Sequence, residues 1–83
     1  MKTEENKISA SRRIDAVGLF CPVPIVKLKI ALDKSAPREV IEILADDPGF
    51  PEDVRAWCRE TGNRLVSLTR NEEGVYLARV EKG

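Results

Sequence analysis

The sequence predicts an α/β chain folded as a two-layer sandwich, with element order β-α-β-α-β-β and a four-stranded mixed sheet carrying both helices on one face. Three observations carry this prediction. Residues 39–45, Glu-Val-Ile-Glu-Ile-Leu-Ala, form an almost continuously apolar run, as a strand with little exposure should. Two segments are opened by prolines, Pro22 and Pro51. Proline suits a first helical position because the N–H it lacks would have no partner there. The C-terminal third holds two apolar-polar runs around Asn71-Glu72-Glu73-Gly74, a hairpin pattern.

Each element follows in order. Residues 1–10 are polar and charged, with Ile8 as the one branched apolar side chain, and read as a disordered leader before a single domain over 11–83. Arg12 to Val17 is a short strand ending at Gly18. Pro22 to Asp33 is a helix, with Ile25, Leu28 and Leu32 at i, i+3 and i+7, flanked by Val26 and Ala31. Lys27, Lys29 and Lys34 read as its solvated side. Ala36-Pro37 ends it, since a residue before proline avoids the helical region. Residues 39–45 are the second strand. Asp46-Asp47-Pro48-Gly49 is turn chemistry. A second helix opens at Pro51, sets Val54, Trp57 and Cys58 on one face, and stops at Gly62. Strands over 64–69 and 74–80 close the chain. The β-α-β start demands parallel strands with a right-handed crossover, and the terminal hairpin is antiparallel.

Composition removes several function classes. The 83 residues carry 14 Lys and Arg against 14 Asp and Glu, so the field of a nonspecific nucleic-acid binder is missing. Histidine is absent, which excludes imidazole bases, histidine metal ligands and a Cys–His dyad. Two cysteines, Cys21 and Cys58, are too few for a disulfide framework and are not in dithiol spacing. The sequence has neither a signal-peptide pattern nor the ~18 consecutive apolar residues of a membrane span. It reads as a soluble cytoplasmic domain with free thiols.

The chemistry concentrates in Gly18-Leu19-Phe20-Cys21-Pro22-Val23-Pro24. With Pro22 at the first helical position, Cys21 falls at the helix cap. There the dipole is worth about 0.3–1 kcal/mol to an anion and draws a thiol below its usual pKa of ~8.5. Pro24 has no N–H, which leaves Val23, then Ile25, as backbone donors to the sulfur. Arg12, Arg13, Lys27 and Lys29 are candidate neighbouring cations. A thiolate without a base suits sulfur transfer: it takes the terminal sulfur of a persulfide and hands it on, with no proton shuttle. Two other readings stay open, a regulatory or protein-interaction domain in which Cys21 is structural, and thiol redox through a Cys21–Cys58 disulfide. Cys58 and Trp57 read as core, and Asp46 and Asp47 as turn residues.

Asp15-Ala16-x-Gly18-Leu19-x-Cys21-Pro22-x-Pro24, then Ala45-Asp46-Asp47-Pro48, Asp53, Trp57-Cys58 and Gly62, resemble the TusA/SirA-type sulfur-carrier family over residues 14–82. The resemblance implies the two-layer fold and a cytoplasmic carrier, not a stand-alone turnover enzyme, that accepts sulfane sulfur on Cys21. It implies Gly18, Pro22, Val23 and Pro24 as motif support and no bound cofactor. It also implies protein partners: a cysteine desulfurase or rhodanese as donor and a downstream acceptor, for example in tRNA thiolation or sulfur oxidation. Neither direct nucleic-acid contact nor a membrane is implied. Two positions depart from the family pattern. Pro37-Arg38 stands where many members have a glycine after the proline, and Val23 stands where some carriers have Glu.

Overall fold

In the computed structural model, residues 12–83 are described, and the leader expected over 1–10 lies outside them. The elements are β1 (Arg12–Asp15), α1 (Val23–Asp33), β2 (Val40–Ala45), α2 (Phe50–Thr61), β3 (Arg64–Arg70) and β4 (Tyr76–Glu81). The sheet order is β1-β2-β4-β3. β1 and β2 are parallel, and β4 runs antiparallel to both β2 and β3. α1 packs on β2, α2 on β3 and β4, and the helices touch each other, so both cover one face. No helix among the described residues is long and apolar enough to cross a membrane.

Alternation explains the layers. In a strand, successive side chains point to opposite faces. Ile41, Ile43, Ala45, Ala78 and Val80 point toward the helices and are fully buried. They meet Leu28, Ala31 and Leu32 from α1 and Phe50, Val54 and Cys58 from α2. Each large aliphatic or aromatic side chain buried in this way contributes roughly 1.5–3 kcal/mol. The buried stripe of α1 is Pro24, Leu28, Ala31 and Leu32. Val26, expected beside that stripe, is instead 48% exposed. It lies on the opposite side with Val23 and Ile30, because α1 is apolar on more than one face.

The ends of the strands are set by local hydrogen bonds. β1 stops at Asp15, two residues earlier than expected, because the Asp15 carboxylate accepts the Val17 N–H at 3.0 Å and turns the chain. β2 starts at Val40, after Glu39 N–H has donated to the Ala36 carbonyl at 3.1 Å. β4 starts at Tyr76, because the Asn71 side-chain oxygen accepts N–H groups from Glu73 and Val75 and holds the loop. A bulge between Leu65 and Ser67 in β3 leaves Val66 42% exposed. Gly62 ends α2 in the left-handed conformation, as expected, with its N–H donating to the Cys58 carbonyl at 3.0 Å.

On the face away from the helices, Arg13, Glu42 and Arg79 stand in register across β1, β2 and β4. Glu42 accepts from Arg13 Nε at 2.9 Å and from Arg79 Nε at 2.7 Å. Burial alone would raise its pKa, but the two guanidinium groups outweigh burial and hold the carboxyl below its ordinary value of 4.5. Its contribution is therefore complete above pH 4.5 and fades as pH falls through the lowered folded value. Glu42→Gln should cost about 1–2 kcal/mol at pH 7, the arginines being half exposed. Denaturant titrations at pH 7 and pH 3 check this, and the difference should shrink at the lower pH.

Arg38, at the position where the family pattern places glycine, has φ +75°. This left-handed backbone is costly for a residue with a Cβ. It is held by the Arg38 N–H donating to the Lys82 carbonyl and the Lys82 N–H donating to that of Glu39, each at 2.9 Å. Arg38→Gly should stabilise the fold by roughly 0.5–1 kcal/mol, less than the full relief because glycine loses more entropy on folding. That corresponds to a rise in Tm of about 3–6 °C in a thermal melt.

Candidate functional site

Two loops meet at the carboxyl ends of the parallel strands β1 and β2, where open α/β sheets place their sites. The first joins β1 to α1 and carries Gly18 to Pro22. Its start is pinned to β2 by Ala16 N–H donating to the Leu44 carbonyl at 2.8 Å. Gly18 takes φ +87°, and open space surrounds the position of a Cβ there. Backbone conformation, not crowding, therefore calls for glycine. Gly18 N–H donates to the Asp46 carboxylate at 2.9 Å, which ties this loop to the second, between β2 and α2.

The helix start is shifted by one residue from the expectation. Pro22 is the N-cap of α1, Val23 is its first residue and Pro24 its second. Cys21 lies one residue ahead of the cap, joined to Pro22 by a cis peptide bond. No side chain caps the helix. Val23 N–H, expected to donate to sulfur, donates instead to the Phe20 carbonyl at 2.9 Å, and Val26 N–H takes the Pro22 carbonyl at 2.9 Å. These two bonds make a tight turn that leads directly into α1. Pro24 contributes differently from the expectation as well: its ring is fully buried in the core and anchors the first turn.

Cys21 is partly exposed and packs with one side against the core. Its thiol pKa is pushed up to about 12. Burial is the largest cause, followed by hydrogen bonds to the carboxylates of Asp53 and Asp47 and by their charge. This reverses the expected lowering by the α1 dipole. The sulfur sits outside the cap, and two anions from the other loop and helix face it. The candidate cations are elsewhere. Arg13 is bound to Glu42, and Lys29 to Asp33 at 2.7 Å. Arg12 and Lys27 line a shallow groove with Ile14, Ile30, Ala31 and Lys34.

Asp53 stands in the first turn of α2, where a carboxylate suits the positive helix end. Sequence reasoning took Asp47 for a turn residue, and the structure gives it both roles: its carboxylate accepts the Gly49 N–H at 3.1 Å and also faces Cys21. Asp53 is signalled in the sequence by its place in the family pattern; spacing alone does not bring it to Cys21. Cys58 is buried in the core as expected, and burial pushes its thiol up to about 11. Exposed apolar side chains lie on the same loop and helix: Phe20 is 73% exposed, and Val17 in the loop and Val23, Val26 and Ile30 on α1 are exposed too.

A small mixed α/β domain that presents one motif cysteine on a proline-rich loop, with an apolar border, defines a carrier or docking module more than an enclosed active site. The chain matches the sulfurtransferase TusA family over residues 12–82 and belongs to that family. The sulfur carrier protein TusA of Allochromatium vinosum is 34% identical over 71 residues, covering 86% of this chain and 92% of that protein. A Neisseria meningitidis protein named for the same role is 38% identical over 86% of this chain and 95% of its own length. A SirA-like protein of Desulfitobacterium hafniense shares the fold, with a TM-score of 0.77, 23% identity, and coverage of 87% of this chain and 97% of that one. The family places the chain among sulfur carriers, whose work requires protein partners.

The raised thiols have a consequence in alkali. Below pH 9 both folded and unfolded chains keep these thiols protonated. Above it the unfolded chain loses protons that the fold retains, so stability should fall as pH rises from 9 toward 12. Cys21→Ser should flatten this decline, as followed by denaturant midpoints at pH 8, 9.5 and 10.5.

Proposed function

We propose that the chain accepts sulfane sulfur as a persulfide on Cys21 and relays it to an acceptor protein. The observation that carries this reading is the position of Cys21. It is a partly exposed thiol on a loop bordered by exposed Phe20, Val23 and Val26, in a sulfur-carrier chain that has no histidine for hydrolytic or acyl-transfer chemistry. The Cys21 thiolate attacks the outer sulfur of a donor persulfide. A new S–S bond forms at Cys21, the donor's S–S bond breaks, and the donor cysteine leaves as thiolate, with no net oxidation. Handover repeats the same exchange with Cys21 as leaving group.

Gly18 permits the loop to turn, Pro22 caps α1, and Pro24 fixes the first turn, so the cysteine is held on a rigid base. Val23 adds apolar surface beside it. A cysteine desulfurase or a rhodanese-like protein fits the donor role, and the exposed apolar side chains suit a protein surface. The reading places the exchange in the cytoplasm, where thiols stay reduced.

Incubation with a cysteine desulfurase, cysteine and pyridoxal phosphate, followed by intact mass spectrometry, should show a gain of one sulfur atom on the wild-type chain. The adduct should be lost on reduction and absent in Cys21→Ser. An adduct that persists in that variant sinks the assignment, and a Cys21–Cys58 disulfide as the sole product would favour the redox reading.

A further inference from the structure

We propose that the groove between β1 and α1 is a docking site for an acidic segment of a protein partner, one in which carboxylates flank an aliphatic side chain. The site is separate from the Cys21 loop and needs no sulfur chemistry.

Two elements build the groove. Lys27, Ile30, Ala31 and the C-cap Lys34 stand at i, i+3, i+4 and i+7 of α1, so they share one side of it. Arg12 and Ile14 alternate on β1. They pair with Ile41 and Ile43, which are buried under the helices, and so point to the same side of the sheet. β1 is an outer strand, and the groove therefore lies at the border of the sheet. Its volume is ≈ 260 Å³. Lys27 and Lys34 stand about 10 Å apart along the helix axis. Half-exposed Ile30 lies between them, and Arg12 and Ile14 form the opposite wall. The groove thus has an apolar middle and a cationic rim.

Charge decides what fits there. The whole chain balances 14 basic against 14 acidic residues, yet three cations and no carboxylate line the groove. Among the described residues Arg12, Lys27 and Lys34 form no ion pair; the pairs are Arg13 and Arg79 with Glu42, Lys29 with Asp33, and Arg64 with Glu81. An anionic occupant is therefore complementary. A nucleic acid fits less well, because no aromatic side chain lines the groove for a base to stack on. A small organic anion also fits less well, since pockets that enclose such ligands run to roughly 300–1,000 Å³. A protein segment needs no enclosure, and it finds further apolar contact on α1, where exposed Val23 and Val26 share a face with Ile30. Lys34 follows the last residue of α1, whereas the Cys21 loop leads into its first. A segment seated over residues 27–34 leaves that loop uncovered, and a partner tethered there meets the thiol at raised effective concentration.

The test is fluorescence anisotropy of a fluorescein-labelled peptide, Ser-Glu-Asp-Leu-Ile-Glu-Asp-Ser, titrated with the full chain. The wild type should bind it, more weakly as salt rises. A peptide with Gln and Asn in place of its acids should bind about tenfold or more weakly, and one with Ser in place of Leu-Ile severalfold more weakly. Lys27→Glu/Lys34→Glu should weaken binding about tenfold or more, and Ile30→Ser severalfold. Lys29→Gln, which removes a charge already committed to Asp33, should bind as the wild type does. These positions are exposed, and circular dichroism certifies that each variant is folded. Amide NMR shifts on adding the peptide should cluster at Ile14 and over 27–34. No saturable binding by the wild type, equal binding of the neutral peptide, or shifts centred away from β1 and α1 overturns the proposal. Displacement of the peptide by a lower concentration of oligothymidylate also overturns it, by marking a nucleic-acid surface. So does binding that appears only in Glu4→Gln/Glu5→Gln, which assigns the groove to the chain's own N-terminal segment. Because the peptide carries no sulfur, the groove can fail while sulfur loading of Cys21 succeeds, or the reverse.

Discussion

The hydrogen bond from Gly18 N–H to the Asp46 carboxylate joins the two loops from which the site is built. The Cys21 loop is otherwise held by Ala16 N–H on the Leu44 carbonyl and by the packing of Leu19 and Cys21 against the core. Parallel strands make this clasp available. β1 and β2 end side by side, and each continues into a helix, so the turn after one strand lies against the turn after the other. The positive φ of Gly18 brings its N–H to the carboxylate. Beside that bond Phe20 stands outward, Cys21 packs against the core and Pro24 is buried.

Electrostatics at the site runs against a reading based on the helix dipole alone. A dipole effect of about 1 kcal/mol is small and falls off within a turn. Placing the sulfur one residue outside the cap forfeits most of it, whereas burial, and after it the Asp53 and Asp47 carboxylates, push the thiol up. The positive end that matters is that of α2, and its own Glu52 and Asp53 already answer it. The lysines of α1 follow the same logic of distance: Lys29 is committed to Asp33 one turn along its own helix, and Lys27 and Lys34 face the β1 side.

Much of the fold was legible because burial leaves periodic marks. The apolar run 39–45, the two proline-marked helix starts, Gly62 and the Asn71–Gly74 loop each encode a local decision, and the observed sheet follows from them. Cys21 was legible for a similar reason, since a cysteine before a proline-led helix is conspicuous. The cap register was less so: one residue's displacement depends on whether the Val23 N–H serves sulfur or the Phe20 carbonyl, and both are consistent with the same letters. Asp47 and Asp53 were harder still. Their approach to Cys21 spans the fold and depends on how α1 and α2 pack, which no local spacing records. Val26 shows the converse limit, because an apolar residue on a helix that is apolar on more than one face does not declare which side the sheet will cover.

The bulge in β3 bears on a separate problem, how a chain that must leave Phe20 uncovered avoids sticking to its own copies. An open sheet has two borders, and each is a template on which another strand can add. Here the outer borders are β1 and β3. Among the described residues β1 spans four, led by Arg12 and Arg13. β3 is longer, but the irregularity at Val66 breaks its regular spacing, and Arg64 and Arg70 stand at its ends. Both borders are thus poor templates for fibre growth. Apart from Val66 at the bulge, the exposed large apolar side chains among the described residues lie on the loop after β1 and on α1, where no backbone ladder is offered for strand addition.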